Sequence, residues 1–157
     1  MPDILWLALQ DALWSAVAAT GFAILFNVPV RTLPACALSG AVGHAARTLL
    51  VQMGIDLIPA TLAGATVMGF MGLGFARYWR APASIFTVSG AITMVPGVFA
   101  FRAMLGILHL AAHSATATDA LLIETTVNGV RTALILAAIA IGIVAPGLLF
   151  NRRPRRG

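Results

Sequence analysis

Three arginines, Arg47, Arg102 and Arg131, fall inside long apolar runs of this 157-residue sequence. A guanidinium stays charged and grips a carboxylate with two parallel hydrogen bonds. Each of the three has polar neighbours at helical spacing. His44 lies three residues before Arg47. Glu124, Asn128 and Arg131 fall at i, i+4 and i+7, one stripe of a helix. Ser89, Thr93 and Pro96 form a similar stripe ahead of Arg102. The chemistry on offer is capture of an anion or a carboxylate. His44 adds a group whose charge changes near neutral pH and that could relay a proton. One acid, Glu124, set against three arginines leaves an expected net positive cluster. The plainer alternative is that Glu124 neutralises Arg131 or Arg102 while His44 donates to a carbonyl.

Other chemistries find little support. Ser and His are sparse, acids are few, and no triad or metal-ligand spacing occurs. His109 and His113 are four apart, but two histidines without a third ligand do not make a zinc site. No phosphate-binding loop is present, so the chain carries no ATPase of its own. We expect no enzyme activity, no cofactor and no metal. The single Cys36 lies in an apolar run and reads as a free core thiol.

The elements that must position these groups are membrane helices. The sequence is 60% hydrophobic and only 10% charged, with a mean hydropathy of +0.95. Soluble chains run at about 45–50% apolar and about 25% charged. A helix needs roughly 20 apolar residues to cross the hydrocarbon core. Five segments qualify: 5–26, 32–53, 58–79, 84–109 and 121–150. The second is the most polar, because of His44 and Arg47. The acidic start, Met1 to Asp3, does not read as a cleavable leader.

Charge placement favours five spans. Arg31, Arg77, Arg80 and the tail "NRRPRR" then share one side, and Asp3, Asp56 and Asp119 share the other. That is a positive-inside pattern, with the N-terminus out and the C-terminus in. The expected fold is an all-α integral membrane protein, a bundle of about five transmembrane helices in one domain spanning 1–157. The basic tail, 151–157, would lie on the cytoplasmic membrane surface. Contact with lipid headgroups accounts for it better than nucleic acid does.

At a rise of 1.5 Å per residue, Arg47 lies roughly 9 Å from the outer end of its span, Arg102 about 11 Å and Arg131 about 15 Å. A charge at that depth costs on the order of 3 kcal/mol even on the lenient insertion scale. The fourth span also holds Pro96-Gly97. Proline lacks an N–H and clashes with the preceding turn, and glycine tolerates bent geometry, so the fourth helix is expected to break there. Broken helices are tolerated in membranes where they line a cavity. Small residues mark close helix contacts: Ala60, Gly64, Gly72 and Ala76 in the third span, Ala35, Ser39 and Gly43 in the second, Gly129, Ala133 and Ala137 in the fifth.

Four ordered motifs add a resemblance. They are "GFAILFNVPVR" at 21–31, "GAVGHAAR" at 40–47, "VPGVFAFRAM" at 95–104 and the terminal "PGLLFNRRPR". Across nearly its whole length the chain resembles the small, YjjB-like subunit of the threonine/serine exporter family of bacterial inner membranes. The resemblance implies secondary export of small carboxylated metabolites, threonine and serine or, in split systems, succinate. It implies a larger YjjP-like subunit as partner. It implies roles for Asn27, Pro29, Gly43, His44, Arg47, Pro96, Gly97 and Asn128. Arg102, Glu124 and Arg131 lie outside the family pattern and enter the candidate substrate site on their own chemistry. Two other classes remain open: a membrane scaffold that does not itself transport, and a homo-oligomeric channel.

Overall fold

Within a bilayer each backbone N–H and C=O must find its partner inside the chain, and helices achieve this locally. The computed structural model describes residues 2–112 and 118–150, and among them every regular element is helical. Six α-helices follow in order: α1 (Pro2–Leu25), α2 (Leu33–Gln52), α3 (Leu57–Trp79), α4 (Ala83–Ala91), α5 (Gly97–Ala112) and α6 (Asp119–Phe150). Short 3-10 turns, Val30–Thr32 and Ile92–Met94, precede α2 and follow α4. Among the described residues three stretches are long and apolar enough to cross a membrane: Ile4–Leu25, Leu57–Trp79 and Asp119–Phe150. Ala83–Met94 and Gly97–Ala112, taken as one bent pair, make a fourth. α2 is 20 residues long but more polar, so the count of five expected from sequence rests on this helix. The basic tail and His113 lie outside the described residues.

Three helices end by the same device. Asn27, Gly54 and Arg80 adopt positive φ values of 55°, 88° and 50°. Each turn is closed by an amide reaching back five residues: Val28 to Ala23 O at 3.0 Å, Ile55 to Leu50 O at 3.1 Å and Ala81 to Ala76 O at 3.2 Å. This left-handed cap satisfies carbonyls that the helix end would orphan. Arg80 holds it without glycine's freedom.

The chain divides into two compact units, Met1–Met94 with Ala138–Gly157, and Val95–Ala137. In the first, α2 packs on α1, α3 and α4. Its core joins Ala23, Ala35, Cys36 and Phe86, all buried. The Phe75 ring meets Trp79 and Phe86, each with centroids 5.6 Å apart. Cys36 is a free, buried thiol whose Sγ lies 3.5 Å from the Ile85 carbonyl. Small residues set the helix spacing. A Cβ on Gly64 of α3 would sit 2.6 Å from the Gly43 carbonyl of α2, so the two backbones touch.

Two of the three small-residue stripes are used in this way. Ala35, Ser39 and Gly43 are buried, as are Ala60, Gly64 and Gly72. The third is not: Ala133 and Ala137 are exposed, and a Cβ on Gly129 would meet nothing within 4 Å. On α6 it is Ala138 and Gly142 that turn inward, the latter against Ala65 of α3.

The second unit pairs α5 with the first part of α6. Gly106 receives the side chain of Thr125 where a Cβ would collide with it. In the first unit α1 carries a strongly apolar outer face. Leu5, Trp6, Leu9, Leu13 and Trp14 of α1 are all more than 60% exposed or close to it, from 60% to 69%. Such a surface belongs in lipid or against another protein.

Candidate functional site

The segment between α4 and α5 explains the first part of the site. After the 3-10 turn Ile92–Met94, Val95 and Pro96 are not helical, and α5 begins at Gly97. Pro96 has no N–H to offer, so the preceding turn loses a helical donor. The Gly97 amide folds back onto the Val95 carbonyl at 2.9 Å, and the Ala100 amide reaches Pro96 O at 3.0 Å. Gly97 does not use a conformation special to glycine: the only glycine at positive φ among the described residues is Gly54, and a Cβ on Gly97 would meet nothing within 4 Å. The expectation that Gly97 permits the bend is therefore corrected; the proline accounts for it.

The carbonyl left at the end of this turn is met by an arginine. Arg47 Nη1 donates to Met94 O at 3.3 Å. Its other terminal nitrogen, Nη2, lies 2.8 Å from His44 Nε2. His44, only 8% exposed, presents Nδ1 to Asp11 Oδ2 of α1 at 2.9 Å. Thr48 Oγ1 donates to the same Asp11 oxygen. His44 and Arg47 sit on one face because they are three apart on α2, and Thr48 follows His44 by one turn.

This connectivity fixes the protons. A guanidinium only donates, so His44 Nε2 must accept. A neutral imidazole then carries its hydrogen on Nδ1, where the Asp11 carboxylate accepts it. The chain of donors runs from Arg47 through His44 to Asp11. Asp11 and Arg47 contribute one negative and one positive charge, so the group is electrically balanced.

Asp11 corrects the expectation that a single acid faces three arginines. Sequence reasoning finds His44 and Arg47 but passes over their acid, which lies within the first apolar run. The signal was available: Asp11 and the buried Ser15 are four apart, a polar stripe on a largely apolar helix.

The remaining candidates collect in the other unit. Phe99, Arg102, Glu124, Asn128 and Arg131 line one open pocket of about 540 Å³. Arg131 stacks over the Phe99 ring, 5.8 Å from its centroid. Asn128 is buried, whereas Arg102, Glu124 and Arg131 are exposed. Glu124 makes no ion pair with Arg102 or Arg131, whereas His44 and Asp11 do pair. The alternative in which Glu124 neutralises its neighbours is not what forms. The alternative for His44 holds in part: besides Asp11, the Thr93 backbone hydrogen-bonds to it. Pro96 and Gly97 fall at the start of this second unit. Among the described residues no cluster of three or more His, Cys, Asp or Glu could hold a metal ion.

The sequence is 39% identical over 145 residues to an uncharacterized protein of Haemophilus influenzae, covering 92% of this chain and 48% of that protein. The chain thus spans about half the length of this relative. No solved structure matches it. The family model described as the threonine/serine exporter, ThrE, matches residues 11–149, a stretch that contains both the Asp11–His44–Arg47 group and the Arg102–Glu124–Arg131 pocket. This chain belongs to the threonine/serine exporter family.

Proposed function

We propose that the chain is a subunit of a secondary exporter of small carboxylated metabolites, threonine and serine or a succinate-like dicarboxylate. The observation that carries this reading is Arg47. Its two terminal nitrogens rest on neutral acceptors, an imidazole nitrogen and a backbone carbonyl. A carboxylate is a stronger acceptor than either and fits the guanidinium fork with two bonds. Family membership supports the transport reading.

The proposed setting is a bacterial inner membrane, crossed five times, with the N-terminus out and the C-terminus in. α2 is the second span, and α4 with α5 forms a fourth span broken at Pro96. A larger YjjP-like subunit completes the exporter. The relative from Haemophilus influenzae supports a missing half, because this chain accounts for 48% of its length.

The test is export of labelled threonine, serine and succinate from cells holding this chain, the larger subunit, or both. Export only with both chains, and lost in Arg47→Lys at equal membrane abundance, is the expected result. Lysine keeps the charge but not the fork. Full export by the larger subunit alone would make this chain a scaffold. Full export by this chain alone would make it a homo-oligomeric channel or carrier.

A further inference from the structure

The pocket between α5 and α6 holds charges that its own residues do not cancel. Arg102, Arg131 and Glu124 all line it, yet Glu124 pairs with neither arginine. Arg131 lies over the Phe99 ring, a contact that leaves the guanidinium N–H groups unused. Asn128 lines the same space and is only 6% exposed. Its side-chain amide has no hydrogen-bond partner among the described residues. A buried amide without a partner is costly, so it marks a place where a polar group belongs. The volume, about 540 Å³, falls in the range of small-molecule sites.

Two contacts give the order along the pocket. Phe99 of α5 meets Arg131 of α6, and Gly106 of α5 meets Thr125 of α6. The two helices therefore run antiparallel, and Arg102, between Phe99 and Gly106, stands level with Asn128. Glu124 is about 6 Å from Asn128 along the axis in one direction, and Arg131 about 4.5 Å in the other. Arg102 and Glu124 also line an adjoining opening of about 210 Å³, as neighbours should. The pocket thus offers a guanidinium at one end, a guanidinium with an amide in the middle and a carboxylate at the other end.

A ligand that satisfies all three carries two anionic groups and one cationic group, the cation beside the middle anion. An α-amino acid with an acidic side chain has this pattern. Its side-chain carboxylate meets Arg131, its α-carboxylate meets Arg102 and the Asn128 amide, and its α-ammonium meets Glu124. The charges agree. Two arginines and one glutamate leave one net positive charge, and such an amino acid carries one net negative charge at neutral pH. Threonine or serine would leave Arg131 unmatched, and succinate would leave Glu124 unmatched. We infer that this pocket is a binding site for an acidic amino acid. The site shares no residue with the Arg47 group and goes beyond the export of threonine, serine or succinate.

The experiment is calorimetric titration of the purified full chain in detergent, near neutral pH, with L-glutamate and L-aspartate. Glutarate and succinate are the controls that lack the ammonium. L-glutamine and L-asparagine are the controls that lack the second anion. At least one of the two acids should bind about tenfold more tightly than either of its controls. Arg131→Gln should abolish the preference over the amide control. Glu124→Gln should abolish the preference over the control without the ammonium. Both side chains are exposed, so neither change disturbs a packed core. The inference is overturned if neither acid binds more tightly than both of its controls, or if the preference survives either substitution. It is also overturned if neither acid binds at concentrations up to about 1 mM. A carboxylate held at Arg47 would be indifferent to Glu124 and Arg131. Heat that is unchanged in both variants therefore belongs to that other group and overturns this site alone. Export is not read here, so failure of the exporter reading leaves this result standing.

Discussion

Asp11 Oδ2 lies 2.9 Å from His44 Nδ1, a contact that ties α1 to α2 across 33 residues of sequence. The same oxygen accepts from Thr48. Asp11→Ala removes the acceptor for both donors and strips Arg47 of its balancing charge. We expect a loss of roughly 1–3 kcal/mol in unfolding free energy. Asp11→Asn keeps a carbonyl acceptor and should fall between the two. Denaturation of the purified variants in one detergent measures this. Equal stability of Asp11→Ala and the parent would show that the group does not brace the helices.

The contact between α2 and α3 depends on Gly64. A Cβ there would approach the Gly43 carbonyl to 2.6 Å, Met94 Cε to 3.0 Å and Arg47 Cβ to 3.3 Å. Gly64→Ala should therefore cost about 1–3 kcal/mol through overpacking and displace Arg47 enough to lower export. Gly74→Ala is the matched control, because its Cβ would meet nothing within 4 Å. If both variants behave alike in unfolding and export, the close contact is not needed.

Much of this arrangement is legible in the sequence, for local reasons. Apolar runs near membrane length had to become helices, and Pro96, which lacks an N–H, falls between two of them rather than inside one. His44 and Arg47 had to share a face because they are three apart. The partners of that face were not legible. Asp11 and Met94 reach Arg47 and His44 through the packing of α1, the α4 turn and α2, which no local spacing encodes. The Arg102, Glu124 and Arg131 cluster was legible as a cluster but not as an unpaired one. Exposed side chains of opposite sign gain little from pairing unless the geometry holds them.

Arg80 ends α3 in a left-handed conformation, φ 50°. A residue with a Cβ is disfavoured there by about 1–2 kcal/mol relative to glycine. Arg80→Gly should thus stabilise the protein by roughly 1 kcal/mol, read as a higher unfolding midpoint. A lower midpoint would mean that the arginine side chain contributes more than its backbone costs.

The proposed five-span arrangement, with the N-terminus out, would put the tail "NRRPRR" and the Arg77–Arg80 turn in the cytoplasm. A phosphatase reporter fused after Gly157, active only when exported, should be silent. A cytoplasm-specific reporter at the same point should be active. The opposite pair of results would remove the five-span count and reassign α2 as a helix that does not cross.

Pro96→Ala probes the break itself. The new residue supplies an N–H and relieves the clash with the preceding turn, so a continuous helix becomes available. In such a helix the Met94 carbonyl takes a backbone N–H four residues on, and Arg47 Nη1 loses the acceptor it now holds at 3.3 Å. The protein should insert at normal abundance, since no charge is exposed and the span stays apolar. Its export rate per inserted molecule should fall several-fold, because Arg47 is then positioned by His44 alone. Comparison with Gly97→Ala sharpens the reading. A Cβ at Gly97 meets nothing, so that variant should transport nearly as the parent does. Unchanged export in Pro96→Ala at matched abundance would reduce the proline to a kink and leave the Arg47–Met94 contact without a role in transport.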